Sequence, residues 1–204
     1  VVLTVVALAA VPVAAHPAGR AYELRTYHAA PGRLEELHDR FRKHSLPLIQ
    51  RHGAEVVGTW VPRPNPDNAV VALLAYPSAA ARDGIWTRIV ADPQWTVMKR
   101  QGDRRGLLVG SIEELPLTAV KPLLASRAGE LELRTQDTPE VPAGALAAFA
   151  PTVPRPGTAL LTLHPRAKPQ PAADRGFVTA QVRAPAGDAP KALVLAPTDY
   201  SPLK

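Results

Sequence analysis

Residues 22–27 alternate, with Tyr22, Leu24 and Thr26 on one face and Glu23, Arg25 and Tyr27 on the other, which predicts a strand with one polar face. Pro31-Gly32 then opens a helix whose apolar positions fall at Leu34, Leu37, Phe41 and Leu48, and Gly53 supplies its stop. Pro47 lies inside that pattern and is expected to kink or break the last turns, because it has no N–H to give the preceding turn. A second strand at about 54–61 leads into the proline-rich loop 62–66. A third, at about 69–76, is apolar almost throughout and reads as buried on both faces. Ser78 can cap a helix holding Ile85, Trp86 and Ile89, and Asp92-Pro93 can cap another that places Trp95 and Met98 inward. A fourth strand follows at about 107–117.

The order β-α-β-β-α-β predicts an α+β domain with a ferredoxin-like antiparallel sheet, both helices on one face. The apolar third strand would leave the other face open to water, so a second sheet is expected against it. The chain offers one source. Glu23-Leu24-Arg25-Thr26 recurs as Glu132-Leu133-Arg134-Thr135, segment 31–41 has a shortened echo in 142–149, and apolar runs at 158–163, 176–183 and 192–195 suit strands. This suggests a first domain over 21–118, a linker over 119–128 and a degenerate, β-rich second copy over 129–204 with its helices mostly lost. A proline-rich extension is the alternative: 12 of the 23 prolines lie in 137–204, which disfavours long helices there.

Composition narrows the chemistry. With 46% hydrophobic and 21% charged residues a core can form without staples, and the absence of cysteine excludes disulfides, thiolate metal sites and thiol nucleophiles. The net charge of +6 is scattered; its densest cluster, residues 99–105, reads as a solvated helix end, and with no groove-reading motif no nucleic-acid partner is expected. Residues 1–15 are uncharged and apolar, too short to span a bilayer, and end in Val13-Ala14-Ala15, the pattern of a secretory signal cleaved after Ala15. Export to a periplasm or the exterior is therefore expected, with 16–20 as a leader. With no basic n-region and a first residue of Val, a clipped or mis-called N-terminus is expected.

Glu23, Arg25 and Tyr27 are expected on the sheet face opposite the helices, which is the interior of any barrel that closes. Buried charges must pair, bind a ligand or stay wet, and a Glu-Arg ladder across the sheet is the favoured role. Tyr27 is the best ligand contact of the three, since Gln136 replaces it in the second copy. His44 falls in the apolar stripe between Phe41 and Leu48, so it is expected to point inward and is the candidate general base; a histidine bonded to backbone beside Pro47 competes with that role. Trp60 is placed at the mouth of the barrel, while Trp86 and Trp95 read as core. His28, His38 and His52 have no ligand spacing and His16 stands alone, so neither a metal nor another cofactor is expected. No nucleophile elbow, Walker loop, dinucleotide fingerprint or H-E-x-x-H is present.

Tyr22-Glu23-Leu24-Arg25-Thr26-Tyr27, Phe41-Arg42-Lys43-His44-Ser45-Leu46-Pro47, Gly58-x-Trp60, the run 67–78, Trp86 and Asp92-Pro93-Gln94-Trp95 together resemble a NIPSNAP domain over about 21–118. The closing Pro197-Thr198-Asp199-Tyr200-Ser201-Pro202 looks like the strand-end motif of exported NIPSNAP-like proteins. The resemblance implies the dimeric α+β barrel superfamily, in which two sheets face each other as a homodimer or, here, as an intramolecular pseudo-dimer. It implies no assigned reaction. It points to a protein that binds a small apolar ligand or a protein partner through the barrel, with Glu23, Arg25, Tyr27, His44 and Trp60 as ligand-binding candidates. The alternative is a cofactor-independent monooxygenase-like or haem-linked enzyme acting on a small aromatic compound, by analogy of fold alone.

Overall fold

The computed structural model describes residues 19–123, 129–166 and 192–203. The alternating segment forms β1 (Ala21–Ala29), and the apolar segment forms β3 (Ala69–Tyr76), buried along its whole length. With β2 (Glu55–Arg63) and β4 (Val109–Lys121) they make an antiparallel set in the order β4-β1-β3-β2. β4 runs four residues beyond its expected end because Leu117, Thr118, Ala119 and Lys121 pair with the second half.

That half supplies β5 (Leu131–Gln136), β6 (Ala147–Pro151), β7 (Leu160–Pro165) and β8 (Ala192–Pro197), in the order β8-β5-β7-β6. Two antiparallel seams, β2 with β8 and β4 with β6, join the sets into a closed barrel of eight strands. Closure leaves no unpaired sheet edge among these strands, and unpaired edges are where other chains add. The stretch 142–149 echoes no helix: it turns and enters β6. The run 176–183 lies outside the described residues. No helix among the described residues is long and apolar enough to cross a membrane.

Side chains separate into two cores. Leu24, Trp60, Leu73, Phe149, Leu163 and Leu195 pack inside the barrel. Leu37, Phe41, Ile49, Leu74, Ile85 and Ile89 pack between the first sheet and its helices. The face assigned to the polar row of β1 is thereby corrected. Barrel closure dehydrates the row Tyr22, Leu24, and the row Glu23, Arg25, Tyr27 faces the helices, where Tyr76, Arg82 and Trp86 supply polar partners.

The helical segment does not break at Pro47. It runs as α1 (Leu34–Arg40), a π-helical turn (Phe41–Ser45) and α2 (Leu46–Arg51), with Pro47 in the first turn of α2. The Leu46 N–H donates to the Phe41 carbonyl, five residues back, which widens the turn just before the residue that cannot donate. The widened turn changes the phase of the stripe. Ser45 and Leu46 point inward and His44 is exposed, which corrects its expected inward placement. Two further helices, α3 (Ala79–Ala91) and α4 (Pro93–Gly102), are capped as expected: Ser78 accepts from the Ala81 N–H at 3.1 Å and Asp92 from that of Gln94 at 2.8 Å.

The C-terminal turn after β8 fastens the two halves. The Ser201 hydroxyl accepts from the Thr59 N–H at 2.9 Å, Thr198 and Thr59 share a hydroxyl contact at 2.7 Å, and His38 Nδ1 meets the Tyr200 hydroxyl at 2.6 Å. Arg42 adds a two-pronged pair with Asp199 at 2.8 and 2.9 Å.

Candidate functional site

The five residues singled out from sequence occupy four separate environments. Glu23 is fully buried at the centre of a polar network under α3. It accepts from the Tyr76 hydroxyl at 2.6 Å, is paired with Arg82, and has Arg25 at 3.7 Å. Arg25 in turn pairs with Glu114 and lies over the Trp86 ring at 3.9 Å, while the Trp86 N–H donates to Tyr76 at 2.9 Å. Burial and the Glu23 carboxylate push the Tyr76 phenol up, and Glu23 likewise raises Arg82, so the phenol keeps its proton and Arg82 its charge at neutral pH. Glu23 and Arg25 thus sit in a closed ladder tying β1, β3, β4 and α3.

Trp60 lies inside the barrel, 1% exposed, its indole folded over Gly58. Its Nε1 and the Tyr22 hydroxyl are buried with no hydrogen-bond partner among the described residues. His44 is on the solvent side of the π turn, away from both cores.

Tyr27 has a different setting. It borders a cavity of about 380 Å³ on the helix side, between the π turn, α2, α4 and the start of β4. Phe41, Ile49, Trp95, Met98 and Ile112 form its apolar wall. The Phe41 ring meets Tyr27 edge to face at 4.8 Å, and the Ser45 hydroxyl donates to the Met98 sulfur at 3.3 Å. Burial pushes the Tyr27 phenol up to about 12, so it stays protonated at neutral pH and can donate a hydrogen bond. Gly110 on the rim is the bulged residue of β4: Ala29 pairs with Val109 and His28 with Ser111, leaving Gly110 between them.

Arg40, at the end of α1, also lines the cavity. Its Nε is buried without a partner, and no carboxylate lies within salt-bridge distance of it among the described residues. Burial lowers its pKa from the ordinary guanidinium value. The neighbouring charges are already matched. Asp103 accepts from the Leu108 N–H at 3.0 Å and from Lys99 at 2.8 Å, which holds its carboxyl below the usual range, and Arg33 bonds Glu36 and the Gly102 and Gly106 carbonyls at 2.6–2.7 Å.

Arg40 was missed from sequence although a signal existed: it follows Leu37 by three positions, on the inward stripe, where a cation needs explaining. The π turn had only the indirect signal of Pro47. No set of three or more His, Asp or Glu side chains is gathered to hold a metal among the described residues.

Residues 22–121 match the NIPSNAP family model. Among solved structures, an uncharacterised NIPSNAP domain protein from Burkholderia xenovorans is 26% identical, aligned over 48% of this chain and 92% of that one, with a TM-score of 0.43. A NIPSNAP family protein of unknown function from Agrobacterium tumefaciens is 25% identical over 50% of this chain and 88% of its own, also at 0.43. A NIPSNAP-like domain protein from Burkholderia xenovorans is 20% identical over 52% and 91%, at 0.45. No curated protein matches the chain.

Proposed function

The chain carries a NIPSNAP domain over residues 22–121, and on that premise we propose that it is a non-catalytic binding protein that takes a small, largely apolar ligand into the helix-side cavity. The observation that carries this reading is the cavity itself: about 380 Å³, walled by Phe41, Ile49, Trp95, Met98 and Ile112, with a few polar groups of Tyr27 and Arg40 converging on it. Ligand sites have this size and make-up. The barrel interior, by contrast, is occupied by Trp60, Phe149, Leu73 and Leu163.

A catalytic reading needs Glu23, Arg25, Tyr27, His44 and Trp60 to converge. They are divided among an ion-pair ladder, a cavity wall, solvent and the barrel interior, so that reading loses its constellation. The architecture we propose is a ferredoxin-like unit followed by a degenerate copy of itself, a pseudo-dimer in one chain. The two halves share one strand order, and Glu23-Leu24-Arg25-Thr26 of β1 corresponds to Glu132-Leu133-Arg134-Thr135 of β5. Export follows from the apolar residues 1–15, which lie outside the described residues.

Met98 is the sole methionine of the sequence and forms part of the cavity wall, so its methyl group is a local reporter. In protein labelled with 13C-methyl methionine, 4-phenylbutanol is expected to shift the Met98 signal saturably, with Met98→Leu confirming the assignment. Saturable binding of the probe with the Met98 signal unmoved would place the ligand elsewhere and overturn the reading.

A further inference from the structure

We infer that the helix-side cavity selects a monocarboxylate with an apolar body, and that Arg40 is the group that binds its carboxylate. The inference rests on the reading of this cavity as a ligand site. A guanidinium taken out of water without a counter-charge is costly, and an anion placed against it recovers that cost. Arg40 is in this condition: partly buried, lining the cavity, its Nε without a partner among the described residues. Its planar fork presents two parallel N–H groups to a carboxylate.

The competing charges at the cavity do not cancel it. Asp103, the one carboxylate of the wall, has one oxygen on a backbone N–H and the other on Lys99. Lys99 is committed to the same pair and its side chain is 57% exposed. One unmatched positive charge remains, which suits a monoanion; a phosphate dianion would need further cations and several more donors. Tyr27 shares the cavity wall with Arg40, and its phenol offers a second donor.

Size and wall define the remainder of the ligand. At about 30 Å³ per water-sized group, the cavity holds roughly a dozen non-hydrogen atoms. Phe41, Trp95 and Met98 offer aromatic and thioether surfaces to a ring or a short alkyl chain. Two departures from regular backbone border the same space: the π turn that carries Phe41 and Ser45, and the bulge at Gly110, whose residue is left out of the ladder. Such departures are enriched at functional sites. The class that fits is an aryl-alkanoic or medium-chain alkanoic acid.

The test compares 4-phenylbutanoate with 4-phenylbutanol on the full chain, read by the Met98 methyl signal and by calorimetry. In the parent protein the acid is expected to bind at least tenfold more tightly than the alcohol. Arg40→Gln is expected to weaken acid binding to about the level of the alcohol and so abolish that preference, with a cooperative thermal unfolding transition showing that the variant is folded, and Arg40→Lys is expected to restore the preference in part. Equal binding of acid and alcohol would overturn the carboxylate assignment and leave the cavity reading standing. A preference for the acid that survives Arg40→Gln would overturn the role of Arg40. Failure of both probes to move Met98 would overturn the ligand-site reading itself.

Discussion

Glu23→Ala is expected to destabilise the protein by about 3–5 kcal/mol, lowering its melting temperature by about 10 °C. Glu23 is fully buried and meets Tyr76, Arg82 and Arg25 at once, so its removal takes the acceptor from the phenol and leaves the two cations beneath α3 with only the half-exposed Glu114 and the exposed Asp83 as counter-charges. Removing one partner of a buried pair costs far more than the pair itself contributes, because the remaining charge keeps its desolvation penalty. Glu114→Ala, in the same network but 43% exposed at its side chain, is the control and is expected to cost no more than about 1 kcal/mol. Urea and thermal unfolding of the two variants separate the cases. A Glu23→Ala loss as small as that of Glu114→Ala would mean that water, not the carboxylate, supports the cations.

Gly58→Ala is expected to cost on the order of 3 kcal/mol and to displace the Trp60 indole. A Cβ at position 58 would lie 2.3 and 2.4 Å from the Cη2 and Cζ2 atoms of Trp60, far inside van der Waals contact. The ring cannot simply yield, since it is 1% exposed and packed in the barrel core. Position 58 also falls at a register shift between β2 and β3, so the backbone there is already displaced from the regular ladder. A red shift of tryptophan emission would report the displacement, and adding Trp60→Leu should recover most of the lost stability. An unchanged emission spectrum with full stability would show that the Gly58-x-Trp60 contact is not needed.

These two residues also show what was legible from sequence. The alternation of β1, the capping residues Ser78 and Asp92 and the wholly apolar β3 all follow from local chemistry, and each element formed close to its expected place. The repeat of four residues in β5 marked where a second antiparallel set begins. Which face of β1 turns inward was not local. Alternation defines two rows, but whether the polar row meets helices or barrel depends on partners such as Arg82, 59 positions away from Glu23. His44 failed for a related reason. The stripe 37, 41, 44, 48 assumes a constant period, and a single π turn ahead of Pro47 moved the inward position to Ser45. Of the five site candidates only Tyr27 borders the cavity, whose wall also includes Arg40.

Barrel closure within one chain fills the sheet face opposite the helices, and the proposal of a helix-side ligand site depends on that closure. Thr118 and Ala150 are directly paired across the β4–β6 seam, Thr118 is exposed, and the sequence contains no cysteine to interfere. Paired strand positions lie within disulfide reach. Oxidising the Thr118→Cys, Ala150→Cys double variant at low concentration, followed by mass measurement without reductant, is therefore the direct test. An internal disulfide in a species of single-chain mass is the predicted result; a covalent dimer joined through these two positions would contradict closure within one chain.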